Sequence, residues 1–241
     1  MSTQGANPLV AQVKKDFSAY WGTAEKGRLE DLPKQRTLLV SAYKYAVCFG
    51  SLSRAMTQLG EHQRIFFQEL SSDTLHLVHA LINGDARGAR FYLRSVVENF
   101  WRHHYFRDHP IEYGWLTSRQ KYYVEMKSLR EHCLWLDCFK QGNEAWLGSL
   151  SKLYADLSTS VHSTSSKTLV LRDALEDIKL ANAQSDAVSK DMHAVLKACL
   201  ALTIYSERAI FQGLHVNVQH FLLSVLNKKH KTWLDEKLTN E

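Results

Sequence analysis

Apolar side chains recur along this chain at intervals of three and four residues, which is the signature of amphipathic α-helices. The clearest stripe is Phe66, Phe67, Leu70, Leu77, Val78 and Leu81, inside a helix predicted over about His62–Ile82. Before it, a short helix is expected over Leu9–Tyr20, then a polar connection over Gly22–Pro33, then a helix from about Lys34 to Leu59 stopped by Gly60. After it, Asn83-Gly84-Asp85 supplies a C-terminal stop and an N-cap for a fourth helix over about Ala86–Arg107, which ends before His109-Pro110. Further helices are expected over about Leu116–Phe139, Glu144–Leu157 and Thr168–Ala183. A long last one runs over Ala187–Asn227, extending towards Leu238. Between residues 157 and 168, the hydroxyl-rich run Ser158–Ser166 competes for backbone hydrogen bonds and predicts a helix break or cap.

These elements give an all-α fold: a single helical bundle of about seven to eight helices with a long C-terminal helix. One domain is expected over 1–241, with its core over about 36–226 and with 1–33 and 228–241 peripheral. Composition agrees. Apolar residues make up 45% of the 241, and Pro8, Pro33 and Pro110 are the only prolines, fewer breaks than a sheet protein of this size needs.

Charge and cysteine usage narrow the class further. A net charge of +5 permits an anionic partner such as RNA, and is equally that of an ordinary solvated surface. The one basic cluster is Lys228, Lys229, His230 and Lys231. Cys48, Cys133, Cys138 and Cys199 form no C-x-x-C pair and lie among apolar residues, as buried thiols in a reducing compartment do. The N-terminus shows no signal-peptide pattern, and the most apolar stretch, Ala194–Phe211, contains Lys197, Glu207 and Arg208, so no membrane span is read. The expected location is cytoplasmic. No phosphate-cradling glycine loop, dinucleotide fingerprint or nucleophile elbow occurs. The spaced pairs His76/His79 and His215/His220 lack matching carboxylates, so neither a metal nor a cofactor is expected.

Candidate chemistry concentrates in two places. On the fourth helix, Arg94, Glu98 and Arg102 are four apart and stack in one row, while Tyr92, Leu93, Val96, Val97, Phe100 and Trp101 cover most of the circumference. A helix this apolar belongs at the centre of the fold, where its charges must be paired. The row is either an ion-pair network that sets helix register or a polar site inside the fold. The helix ends in RHHYFRDH, and the offset of seven between Arg102 and His109 places them on nearly one face if the helix persists. Arginine beside histidine suits RNA cleavage: the imidazole exchanges the proton of a ribose 2′-hydroxyl or leaving 5′-oxygen, and the guanidinium binds phosphate. The same residues also read as a cationic helix end that favours the dipole. The second place is LYADLSTSVHSTS, where His162 sits among small hydroxyl residues, open to a ligand or serving as a structural cap.

The segment GDARGARFYLRSVVENFWRHHYFRDHPIEY, followed about 40 residues later by LYADLSTSVHSTS, resembles helical proteins of the HEPN superfamily. It looks closest to the branch found in bacterial abortive-infection and phage-defence loci. The matching positions are Arg94 with Glu98, and Leu157, Ser158 and Val161 with His162, over roughly residues 70 to 180. The resemblance implies a helical bundle, often dimeric, with metal-independent RNase activity from an Arg and a following His separated by four to six residues. Arg102 to His109 has that spacing in an unusual context, whereas His162 has the family-like setting without an Arg at that distance before it. The expectation is an RNase-type effector or RNA-binding accessory of antiviral defence. Arg102, His109 and His162 are its catalytic candidates, and Arg94 and Glu98 orient their face. His103, His104, Arg107, Ser158 and Ser160 are candidates for contact with nucleic acid. RNA or a nucleotide, a protein partner in a defence complex and a second copy of the chain are the expected partners. The alternative is a non-catalytic helical scaffold of a larger defence enzyme, with Trp115, Trp135 and Trp146 as anchors.

Overall fold

The computed structural model describes residues 35–140, 144–162 and 182–239, and Lys15 besides. The helix expected over residues 9–20, the connection over 22–33 and nearly all of the helix over 168–183 lie outside the described residues. Among the described residues the chain is all-α, with no strand. Eleven α-helices occur there: α1 (Arg36–Ala55), α2 (Glu61–Ile82), α3 (Ala86–Asp108), α4 (Pro110–Ser118), α5 (Met126–Trp135), α6 (Asp137–Lys140), α7 (Glu144–His162), α8 (Asn182–Ser206), α9 (Arg208–Gly213), α10 (Val216–Ser224) and α11 (Lys228–Thr239). No helix among these residues is long and apolar enough to cross a membrane.

The elements at the centre form where the periodicity puts them. Phe67, Leu70, Leu77 and Leu81 of α2 are fully buried, and Phe66 at the edge of that stripe stacks on Phe106 of α3. The α2–α3 turn works as its residues require. Gly84 takes φ 72°, a conformation glycine adopts without steric cost, and the Asp85 carboxylate caps α3 by accepting from the Gly88 N–H at 2.8 Å. The following helix, α3, packs against α2, α5, α7 and α8. It buries Ala89, Leu93, Val96, Val97, Phe100, Trp101 and Phe106, the central position that its nearly all-round apolar surface demands. In the same apolar cluster lie Phe49 and Leu52 of α1, Leu150 and Leu157 of α7, Val195 and Leu202 of α8 and Leu234 of α11.

Four boundaries differ from the expectation, and the helix count of eleven exceeds seven to eight for the same reasons. Pro110 starts a helix directly after α3, at the first helical position, where its missing N–H costs nothing. The helix expected over 116–139 is instead three pieces. Residues 119–125 leave the helix, with Lys121 at φ 63°, because the Arg119 guanidinium folds back over the Trp115 ring at 3.9 Å and Tyr122 donates to Glu112 at 3.0 Å.

The break expected from Ser158 does not occur there, since α7 continues to His162. Its hydroxyls bond carbonyls one turn back inside the helix, Thr159 to Ala155 at 3.0 Å and Ser160 to Asp156 at 2.9 Å, and so do not compete with it. The long last helix is four, and side chains cap the new starts. His215 Nδ1 accepts from the Asn217 N–H at 3.2 Å, and Asn227 Oδ1 accepts from the His230 N–H at 3.0 Å. The first corner, between α8 and α9, is Glu207, held by groups on α3 described below.

Candidate functional site

Two carboxylates, one from each side of α3, organise the polar groups of the core. The first is Glu98, which joins Arg94 and Arg102 in the row that helical spacing predicts. Its oxygens lie 3.5 Å from Arg94 Nη2 and 2.5 Å from Arg102 Nη2. The glutamate is 16% exposed, so the pairing offsets a real desolvation cost.

Arg94 is also the link to α7. Its Nε donates to Ser158 Oγ at 3.0 Å, its Nη2 donates to the Tyr154 hydroxyl at 2.9 Å, and its guanidinium lies 5.1 Å from the centre of the Tyr154 ring. Tyr154 packs edge-on against Trp101, and Arg87 donates to the Val161 carbonyl at 2.6 Å. The two stretches singled out in the sequence, on α3 and α7, are therefore bonded to each other. Tyr154 and Ser158 are one turn apart, and position 162 is one turn further along the same helix. The side chain of His162 lies outside the described residues.

The second carboxylate is Glu207, 3% exposed, at the corner between α8 and α9. Its Oε1 accepts from His103 Nε2 at 3.1 Å and from the Arg107 guanidinium. The carboxylate only accepts, so His103 Nε2 is the donor, and its Nδ1, buried, has no hydrogen-bond partner. His104 beside it is 2% exposed, and its Nε2 has no partner either. Burial first, then electrostatic interaction with His103, Arg107 and His132, holds the His104 pKa well below the ordinary imidazole value. His104 is therefore neutral at pH 7. Each unsatisfied ring nitrogen costs about 1–3 kcal/mol relative to a bonded one.

A third group of polar residues surrounds the end of α3. His109 follows the last helical residue, stacks flat on Tyr105 at 4.2 Å and bonds the Tyr105 carbonyl through Nδ1 at 2.7 Å. The His132 ring lies 4.8 Å from it, edge-on, and pairs with Asp108 at 3.2 Å. Burial and the nearby His109 lower the His132 pKa, while Asp108 opposes the shift. Tyr105 donates to Glu112 at 2.5 Å, which together with burial raises its pKa.

The candidates fall into separate places. Arg94, Glu98, Arg102 and Ser158 come together. Arg102 lies over the Phe66 ring at 5.9 Å and His109 lies against Tyr105 and His132, so the two have different neighbours. The helix stops at Asp108, and the shared face assumed for residues 102 and 109 ends with it. His103 and His104, placed in sequence among contacts to nucleic acid, are inside the fold and present no surface to a bulky polyanion. Arg107 is 35% exposed and committed to Glu207. Ser160 is partly buried and bonded within its own helix. Of the proposed anchors, Trp135 is 74% exposed. Trp115 packs with Tyr122 and Arg119, and Trp146 with His230 and Trp233.

Glu207, His132 and Asp108 were not singled out by sequence reasoning. For Glu207 a signal existed: a lone carboxylate within an apolar stretch needs a cation from elsewhere in the fold. Fold and site together define an all-α protein whose central helix carries two carboxylate-centred ionic clusters. Comparison of the chain with family models, with curated proteins and with solved structures returned no match.

Proposed function

We propose that this chain is a HEPN-like helical bundle of bacterial antiviral defence, acting as an RNase-type effector or as its RNA-binding accessory. The observation that supports this reading is the bonding of the Arg94–Glu98–Arg102 row to Tyr154 and Ser158, which unites the two stretches that carry the resemblance. In this proposal Arg102 holds the scissile phosphate, since its side chain is 38% exposed and most of its five N–H donors remain for a ligand. An imidazole, His162 or His109, takes the proton from the ribose 2′-hydroxyl. The freed oxygen attacks phosphorus, the bond to the 5′-oxygen breaks, and a proton is returned to that leaving oxygen. Glu98 and Arg94 fix the orientation of Arg102. Within this reading the chain works in the cytoplasm and pairs with a second copy.

The test is RNA cleavage and cellular toxicity of Arg102→Ala, His109→Ala and His162→Ala. Loss of both in Arg102→Ala and in one histidine variant is expected. Full activity in all three would sink the catalytic assignment. A scaffold reading is supported by the 74% exposure of Trp135, which suits a protein anchor. It predicts that Trp135→Ala abolishes co-purification with a partner while leaving the isolated chain folded.

A further inference from the structure

The groups on the far side of α3 from Arg94 belong to a different chemistry from the RNA reading and do not depend on it. We infer that His103, His104 and Glu207 form a buried site for one divalent transition-metal cation of the zinc class, with Arg107 occupying the carboxylate when the metal is absent.

The donor set is the first argument. Two imidazoles and one carboxylate each offer a ligand atom, these atoms all lie within 4.8 Å of one another, and all three residues are buried. Nitrogen and oxygen donors in this combination suit zinc, cobalt and nickel. A four-coordinate zinc holds its ligand atoms roughly 3.3 Å apart, so the widest separation must close by at most roughly 1.5 Å. Sliding Arg107 off Glu207 frees the carboxylate to make that movement. The Arg107 side chain is 35% exposed, so it has solvent to move into.

The second argument is the orphaned nitrogens. A buried imidazole with an unpartnered nitrogen is unusual, because the interior offers it no water. Here two adjacent rings each have one, His103 Nδ1 and His104 Nε2. The His230 ring also leaves a buried Nε2 unpartnered, but among the described residues it belongs to no such cluster of donors.

The third argument is charge. Glu207 already attracts a cation: the Arg107 guanidinium bonds the same oxygen that accepts from His103. A divalent ion in that place exchanges one cation for another and introduces no new kind of charge into the core. A bound ion would tie the end of α3 to the corner between α8 and α9.

The experiment strips the full-length chain with a chelator and titrates it with Co2+, followed by visible absorption and by the shift in unfolding temperature. One equivalent is expected to bind, with the ligand-field bands of a site of low symmetry and a raised unfolding temperature. His104→Ala and Glu207→Gln abolish this binding. Arg107→Gln, which removes the competing cation, tightens it by about tenfold or more. Far-UV circular dichroism of each variant checks folding, and Arg107→Gln keeps the test decisive if the two buried variants do not fold. No stoichiometric binding in either the unaltered chain or Arg107→Gln overturns the proposal. So does binding that survives His104→Ala, including binding whose near-ultraviolet charge-transfer band assigns it to Cys133 and Cys138 alone.

Discussion

Replacing Asp73 with Asn should make the protein more stable at neutral pH, although Asp73 is buried and bonded. The carboxylate is 4% exposed on α2 and accepts from Asn99 Nδ2 of α3 at 2.9 Å. Burial raises its pKa above the ordinary carboxyl value of 3.8, against the opposing hydrogen bonds from Ser95 and Asn99. Across the contact, Asn99 Oδ1 is buried without a partner, because a carboxylate has no hydrogen to give it. An amide at position 73 has one. Two amides can pair head to tail, so the orphaned carbonyl is satisfied, a gain of about 1–3 kcal/mol. The charge and its desolvation disappear as well. Against this, hydrogen bonds to a carboxylate become bonds to a neutral carbonyl, a loss of about 1 kcal/mol. The net expectation is a stabilisation of about 1 kcal/mol, or roughly 2–4 °C in unfolding temperature for a chain of this size.

The pH dependence distinguishes this account from a packing effect. A carboxyl whose folded-state pKa is raised is protonated in both states below about 3.8, so the two proteins differ least in strong acid. As pH rises the unfolded carboxyl ionises first, and the natural chain loses stability until the folded carboxyl has also ionised. Asp73→Asn lacks that loss. Urea unfolding followed by circular dichroism from pH 4 to pH 7.5 should therefore show the gap between variant and natural chain widening with pH. A variant less stable by more than about 1 kcal/mol at pH 7, or a gap constant across the range, refutes the reasoning.

The four histidines with depressed pKa values, His104, His132, His193 and His230, the last at about 4, predict acid sensitivity. Their unfolded forms take up protons first as pH falls through about 6.5, so stability present above that pH is lost towards pH 4; calorimetry should show a falling midpoint, and His230→Gln should flatten it. The bond between Arg94 and Tyr154 should appear as a coupling of about 1 kcal/mol in a cycle of Arg94→Ala and Tyr154→Phe by denaturant unfolding. Additive single effects would remove that link between α3 and α7.

What could be read along the chain was whatever depends on spacing. The stripe on α2, the Asn83-Gly84-Asp85 turn and the Arg94–Glu98–Arg102 row all follow from helical geometry within one element. The breaks after Ser118 and Ser206 could not be read the same way, because side-chain partners that the apolar periodicity does not reveal hold them. Tyr122 is drawn out of helix by Glu112, and Glu207 is held by two residues of α3 a hundred positions away. The hydroxyl run at Ser158 misled for a local reason. Serine and threonine bond backbone carbonyls either inside or outside a helix, and composition does not say which.

The two arginines of the Glu98 row are equivalent in sequence and different in the fold. Arg94 spends its guanidinium on Glu98, Ser158 and the hydroxyl and ring of Tyr154, all within the protein. Arg102 pairs closely with Glu98 and otherwise lies over Phe66, with more than a third of its side chain in solvent. A helix that is apolar nearly all round has little to choose its rotation against the neighbouring helices, and directional bonds such as those of Arg94 supply the choice. Losing Arg94 should therefore loosen the register of α7 against α3 and anything that depends on it. Losing Arg102 should cost the fold less, because Arg94 remains to pair with Glu98 and 38% of the Arg102 side chain is in solvent. An activity lost with Arg102 is then evidence about chemistry, whereas the same loss with Arg94 is evidence about structure. Under the proposed function, the question left open by the sequence, whether the row sets register or binds a ligand, divides along its length: register at Arg94 and ligand at Arg102.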